Sequence, residues 1–333
     1  MTSLSRQLQR LALPETRIYK QTNKAASLLF EPEDAAGMSK DTIFAIAVVG
    51  FEELTKNDYV FEKFRATLFS QSTLDVERAL LTRDQNVSLD NVISEFFVAL
   101  TPYLLFSSAH KAIEWLARGF RVHEYNVGAV LRCAIHYHEC NIFARILKLL
   151  QIRPEHSLWQ WLLPFQRSAQ VITRQVLCRE CEKNPALMTF ILDTASLWVQ
   201  SVGNCGAPTQ LMVFKFQLSL CWTTIAYSES LTNSFLNSLF PYLVQGLKSG
   251  VVAYKICSCG IIARLACKVE LEQNVSKVLA QKILKTMDAE SAFISISTVV
   301  ILFETQVIVQ LSARLAQMMN FVWKSNMDII SPS

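Results

Sequence analysis

Apolar residues three and four apart run through almost the whole of this 333-residue chain, and alternation of period two is nearly absent. At that spacing side chains return to one side of an α-helix, whereas a half-buried strand alternates. In NSFLNSLFPYLVQGLKS, Phe235, Leu236, Leu239, Phe240, Leu243, Val244 and Leu247 make one broad apolar stripe. NVISEFFVALTPYLLF, NPALMTFILDTASLWVQ and ELEQNVSKVLAQKILKTM read the same way. Helix punctuation falls between the runs, at Ser107-Ser108, Asn184-Pro185, Gly203 to Pro208 and Ser249-Gly250. The pattern predicts about a dozen helices joined by short turns, and no strand.

Hydrophobic residues make up 51% of the chain and charged residues 18%. That balance is more apolar than a typical soluble domain and excludes a disordered chain. It does not predict a membrane span, which needs about 20 uninterrupted apolar residues. Leu211–Tyr227 is broken by Lys215, and Ile294–Phe303 is too short. The opening MTSLSRQLQRLALPE lacks a signal-peptide core; Leu4, Leu8 and Leu11 suit an amphipathic helix instead. Without export the nine cysteines are expected to stay thiols, and the sequons at Asn86 and Asn274 to be silent. The net charge of +4 is spread along the chain. With no dense Lys/Arg block, nucleic-acid binding is permitted but not demanded.

One unit is used more than once. FFVALTPYLL (Phe96–Leu105) aligns without gaps on FLNSLFPYLV (Phe235–Val244), with a weaker relative in WLLPFQ (Trp161–Gln166). A proline inside an apolar helix removes a backbone bond and bends it, so a repeated bend is expected. EWLARGF, NIFARILKLL, GIIARLACK and LSARLAQMM each set an Ala-Arg pair in an apolar helix, at Arg118, Arg145, Arg264 and Arg314. The alanine admits a close neighbour, and the arginine can lay its stem on apolar surface and turn its head to carbonyls or carboxylates. Repeated helix pairs with bent first helices predict an all-α fold, an α-solenoid of HEAT/armadillo-like pairs that bury their faces only by stacking.

Two stretches concentrate residues that could carry chemistry. AIHYHECNIFARILKLLQI crowds His136, His138, Glu139 and Cys140 together, and CREC holds Cys178 and Cys181. A structural zinc site takes four ligands, usually as two tight pairs, but there is no second Cys-x-x-Cys. The deaminase pattern, His-x-Glu followed by Pro-Cys-x-x-Cys, fails in both halves. SAQVITRQVLCRECEKNP reads as one helix, and YHE as a corner between a helix ending near Tyr137 and another starting near Glu139. Glutamate there suits the positive end of a helix. Cys257 and Cys259 lie two apart on a helix and point different ways, as packing residues. Gly203–Gly206 lacks the strand and Lys-Ser/Thr of a phosphate loop, and no Gly-x-Ser-x-Gly elbow occurs. Glu52-Glu53 sits on an exposed helix face, and Trp159 and Trp161 suit a core or ridge better than an interface. The expectation is no catalytic residue, no cofactor and no metal.

Several stretches together resemble a known family. MTSLSRQLQRLALP, ASLLFEPEDAA, DTIFAIAVVGFEEL, LFSQSTLDVER, LTPYLLFSSAHKAIEWLARGFRVHEYN and YHECNIFARILKLLQI are similar to the amino-terminal region of the HEAT repeat-containing protein one family, also described as U-three small nucleolar RNA-associated. The likeness runs from Met1 to about Val322, most specifically before Ile152, and Leu231–Asp288 resembles the start of the family's U-three-associated domain. It implies residues 1–230 as amino-terminal HEAT-like repeats, 231–322 as the start of that domain and 323–333 as a divergent tail. Family members run several times longer, so the expectation is that the chain lacks their carboxy-terminal domain.

The resemblance further implies a non-catalytic scaffold in the nucleus and nucleolus. It implies membership of the transcription-coupled subcomplex of the small-subunit processome, support of pre-ribosomal RNA processing toward the small-subunit RNA, and support of RNA polymerase I transcription. The implied partners are other processome proteins and U-three small nucleolar RNA or pre-ribosomal RNA, directly or through proteins. No membrane and no small-molecule substrate are expected. A transport receptor or trafficking adaptor on the same solenoid is the alternative from another class.

Overall fold

The computed structural model describes residues 27–202 and 211–306, and every regular element among them is helical. Sixteen α-helices occur there, twelve of them with eight residues or more. The chain divides into two compact units, residues 1–171 and 172–333. The amphipathic opening with Leu4, Leu8 and Leu11, the Gly203–Gly206 stretch, Arg314 and the 323–333 tail lie outside the described residues.

The first unit contains α1 (Pro32–Gly37), α2 (Lys40–Asn57), α3 (Arg65–Leu68), α4 (Arg83–Leu100), α5 (Ser107–Gly119), α6 (Val122–Tyr125), α7 (Val127–Ala134), α8 (Asn141–Leu149) and α9 (Leu163–Ser168). Ser39 starts α2 by accepting the Thr42 N–H, and Thr82 and Gln85 close a reciprocal capping box on α4. Helix α2 packs along α5, and α4 along α7. The α2–α5 approach depends on Gly50: a Cβ there would stand 2.7 Å from Lys111 Cβ and 2.8 Å from the Ser108 carbonyl oxygen. The buried ring of Phe96 lies 5.3 Å from Phe64, 5.5 Å from Phe69 and 5.9 Å from Phe61. Such aromatic pairs add about 0.5–1.5 kcal/mol each beyond the area they bury.

The second unit contains α10 (Arg174–Lys183), α11 (Pro185–Val202), α12 (Leu211–Tyr227), α13 (Asn233–Lys248), α14 (Val252–Ala266), α15 (Gln273–Thr286) and α16 (Ala292–Thr305). Helices α10, α12, α14 and α16 form one row and α11, α13 and α15 a second, with the rows packed against each other. Every interior helix therefore touches the one two positions further on. Where α13 meets α14, a Cβ on Gly246 would collide with Oγ of Ser258 and stand 3.0 Å from the Tyr254 ring. Within each unit the helices stack in tandem, the all-α solenoid packing expected from the repeats.

Two local expectations come out differently. The Pro-Tyr-Leu motif bends no helix at Pro102: α4 ends at Leu100, the Thr101 N–H bonds back to the Val98 carbonyl, and a 3-10 turn covers Thr101–Tyr103. At Pro241 the helix continues through the proline. The residues just after the two prolines are alike, Tyr103-Leu104-Leu105 and Tyr242-Leu243-Val244, so the contrast is not written in the motif itself. The stretch SAQVITRQVLCRECEKNP is also two segments. Helix α9 stops at Ser168, Ala169 adopts φ 55°, and α10 begins only at Arg174. The β-branched run Val171-Ile172-Thr173 disfavours helix at that join.

No helix among the described residues is long and apolar enough to cross a membrane.

Candidate functional site

The histidine-rich stretch forms a corner. Helix α7 ends at Ala134, tightens into a 3-10 turn over Ile135–Tyr137, and α8 opens at Asn141 behind Cys140. Glu139 thus precedes the helix instead of sitting in its first turn. The Tyr137 hydroxyl donates to the Thr101 carbonyl at 2.7 Å, pinning the corner. His136 is buried and donates Nδ1–H to the Arg132 carbonyl at 3.1 Å. Burial pushes its pKa down to about 3, so the ring is neutral at any ordinary pH. His138 is buried as well.

Cys178, Cys181, Cys257 and Cys259 are buried packing groups. Cys178 and Cys181 both lie in the core, and burial raises the Cys181 thiol well above its usual range. Cys257 reaches the Phe214 carbonyl at 3.4 Å, and burial raises its pKa to about 12. Cys259 instead faces Ser295 at 3.9 Å, on α16. The thiolate is the nucleophile and the metal ligand, and burial holds Cys181, Cys257 and Cys259 as thiols. Among the described residues, no three or more His, Cys, Asp or Glu side chains stand where they could hold a metal together.

Glu52 pairs with Arg65, whose hydrogen bond lowers the carboxyl pKa, and Glu53 lies 3.4 Å from Lys111. Trp159 is buried, and Trp161 stands edge-on to Phe165 at 6.4 Å.

The arginines are more telling. Arg118 donates through Nη2 to the carbonyls of Ala35 and Met38, at 3.3 and 3.2 Å, and Arg145 donates to the Leu28 carbonyl. Between them the buried Glu114 accepts from the N–H groups of Leu28 and Leu29, at 2.7 and 3.0 Å. Two of the four Ala-Arg arginines thus turn to backbone carbonyls and strap residues 28–38 onto α5 and α8. Arg264 takes a different partner, its guanidinium carbon lying 5.2 Å from the centre of the Trp222 ring.

A second polar centre gathers around Arg78, whose side chain is 3% exposed. It pairs with Asp90 and donates to Asn126 Oδ1 at 2.6 Å and Asn86 Oδ1 at 3.2 Å, while Asn126 donates to Asp90 at 2.8 Å. The Asn86 amide is itself spent on the carbonyls of Arg78, Leu81 and Thr82. Reading the sequence alone singled out neither Arg78 nor Glu114. For Glu114 the available signal was a lone charge inside an apolar run, in AIEWLA; Arg78, beside Glu77 in VERAL, carried no such mark. All these groups join helices to helices or to a strap, and this arrangement can hold a shape.

Comparison with known proteins places relatives beside this geometry. The family model for U3 small nucleolar RNA-associated protein 10 matches residues 235–327. HEAT repeat-containing protein 1 of Homo sapiens is 36% identical over 311 residues, which is 92% of this chain and 14% of that protein. The protein of the same name from Danio rerio is 33% identical over 315 residues, again 92% of this chain and 14% of the relative. U3 small nucleolar RNA-associated protein 10 of Yarrowia lipolytica is 33% identical over 195 residues, covering 58% of this chain and 12% of the relative. The chain therefore spans a small fraction of the length of the curated relatives it matches.

Proposed function

Because the chain belongs to the HEAT repeat-containing protein 1 family along 92% of its own length, we propose that it is a non-catalytic scaffold acting in ribosome biogenesis. Its place is the nucleolus, within the transcription-coupled part of the small-subunit processome. There it supports pre-ribosomal RNA processing toward the small-subunit RNA, and transcription by RNA polymerase I. Its partners are other processome proteins and U-three small nucleolar RNA or its precursor target, reached directly or through proteins. Residues 231–322 supply the start of the U-three-associated region, for which the family match at 235–327 is the support.

The observation that carries this reading is likeness to the family through both compact units, not through an isolated motif. The spending of buried polar groups on helix joints agrees with it. Affinity purification of this chain from nucleolar extract tests the proposal, with co-purifying proteins and RNA identified. The expected result is enrichment of small-subunit precursor proteins together with U-three small nucleolar RNA. Enrichment of transport cargo or vesicle-coat proteins without that RNA would favour the adaptor alternative and overturn the proposal.

A further inference from the structure

On α12, Lys215, Ser219 and Trp222 follow one another at helical spacing and share a face, with Lys215 and Trp222 exposed. The two neighbours of α12 in its row add to that face. From α10, Arg174 donates through Nη1 to the Ser219 hydroxyl. From α14, Arg264 lays its guanidinium over the Trp222 ring, 5.2 Å from its centre. Gly260, one turn before Arg264, lets the helices come this close: a Cβ there would stand 3.1 Å from Leu218. Three cations from three helices thus flank one indole that is 44% exposed. Helices α12 and α14 contain no carboxylate. Those of α10 are engaged, Glu180 with Lys183 at 3.1 Å and Glu182 with the Ser228 hydroxyl.

Two features go beyond a joint between helices. Arg118 and Arg145 spend their heads on carbonyls, whereas the Arg264 side chain makes no hydrogen bond among the described residues, and its Nε is buried without a partner. Lys215 stands exposed two turns from Trp222, about 10 Å along the helix, and has no ion pair among the described residues. A nucleotide answers both halves of this face, a flat base for the open part of the indole and phosphate oxygens for the cations. An acidic peptide would leave the ring unused, and a duplex keeps its base faces inside the stack. We propose that Arg174, Lys215, Trp222 and Arg264 form a contact for single-stranded RNA. One base stacks on Trp222, whose ring Arg264 backs, while Lys215 and Arg174 take the flanking phosphates. Resting on the ribonucleoprotein reading above, this contact makes the association with RNA a direct one.

The test titrates the purified full chain with a short, labelled, single-stranded oligoadenylate, read by anisotropy and by quenching of tryptophan emission. Binding should weaken as salt rises. Trp222→Leu should weaken it about tenfold and remove most of the quench. Trp222→Phe keeps a ring and should retain most of the affinity while losing the quench, which assigns the signal to this indole. Lys215→Ala, at an exposed site, should lower the slope of log affinity against log salt by about 0.7, the share of one phosphate on a single strand. Circular dichroism checks that each variant is folded. Unchanged affinity in folded Trp222→Leu, equally tight binding of the adenylate–uridylate duplex, or equal competition by polyglutamate would overturn the proposal. If the purified chain binds no RNA while U-three small nucleolar RNA still co-purifies from nucleolar extract, the direct contact fails and the scaffold reading stands.

Discussion

The hydroxyl of Tyr103 donates to Oδ2 of Asp58 at 2.9 Å, joining the Pro-Tyr-Leu turn after α4 to the residue that ends α2. The echo of the motif does the same in the second unit, where Tyr242 donates to Asp193 on α11. The two prolines differ in what they do to their helices, yet both tyrosines reach a carboxylate on an earlier helix. The motif thus works as a clasp between helices. A hydrogen bond to a charged group contributes about 1.5–3 kcal/mol when well buried and less at a half-exposed site. Tyr103→Phe and Tyr242→Phe should each lower stability by about 1 kcal/mol. Denaturant unfolding of Tyr103→Phe, Asp58→Ala and the double variant checks it, and additivity of the two single effects would remove the clasp.

Glu114 makes a sharper case. Its buried carboxylate is the acceptor for two backbone N–H groups, so Glu114→Ala orphans both, at about 1–3 kcal/mol for each group left unsatisfied. Hydrogen exchange at Leu28 and Leu29 should rise by more than tenfold, and the Arg118 and Arg145 contacts to the same strap should loosen. Glu114→Gln keeps an acceptor oxygen and should recover much of the protection. Protection unchanged in Glu114→Ala would mean that the strap is held without it.

The acid side of the stability profile should carry the mark of His136. Its pKa stands at about 3 in the folded chain against an ordinary 6.5, because burial disfavours the charged ring. The folded value is the depressed one, so the unfolded chain takes up the proton first as pH falls. The contribution is complete above about pH 6.5 and is lost progressively down to about pH 3, at about 1.4 kcal/mol per pH unit for one group. His110 and His123 are shifted the same way by burial and share the upper part of that window. Asp288 acts lower: the Lys255 hydrogen bond holds its pKa at about 2 against 3.8, so its share is lost between those values. His136→Phe should therefore flatten the decline between pH 6.5 and 5 by about 2 kcal/mol. Urea unfolding at closely spaced pH values decides it, and an unchanged slope would place a charged ring at that corner.

The helix pattern was legible in the sequence because stripes such as that of Leu239, Leu243 and Leu247 are local, and local spacing reports helix and buried face together. Helix ends were read less well. The helix continues through Pro241 but stops before Pro102, although near-identical residues, Tyr-Leu-Val and Tyr-Leu-Leu, follow the two prolines. The break at Ala169 hides in a β-branched run that looked helical beside its neighbours. The polar joints were least legible. Arg78 reaches Asn126, forty-eight residues away, and Glu114 reaches Leu28, eighty-six away. No spacing rule joins such pairs: Arg78 meets Asn126 beside the packing of α4 on α7, and Glu114 meets Leu28 where the strap lies on α5. The Ala-Arg pattern marked where an arginine head would meet a partner but not which one: Arg118 and Arg145 reach carbonyls of the strap at residues 28–38, and Arg264 reaches the Trp222 ring on α12.

The central claim is that this chain works through its packing and not through a reactive group. Leu147 and Leu239 are fully buried, one in each unit, and an aspartate at either would bury an unpaired charge. Damage in a stacked array spreads to neighbouring repeats. The most direct measurement is recovery of U-three small nucleolar RNA with tagged chains carrying Leu147→Asp, Leu239→Asp or the paired change Cys178→Ser and Cys181→Ser, each compared with the unaltered chain. The account predicts that both aspartate variants lose the RNA and its protein companions, while the serine variant keeps them apart from a modest loss of stability. Loss of association in a well-folded serine variant, or full association by an aspartate variant whose helices have demonstrably come apart, would contradict it.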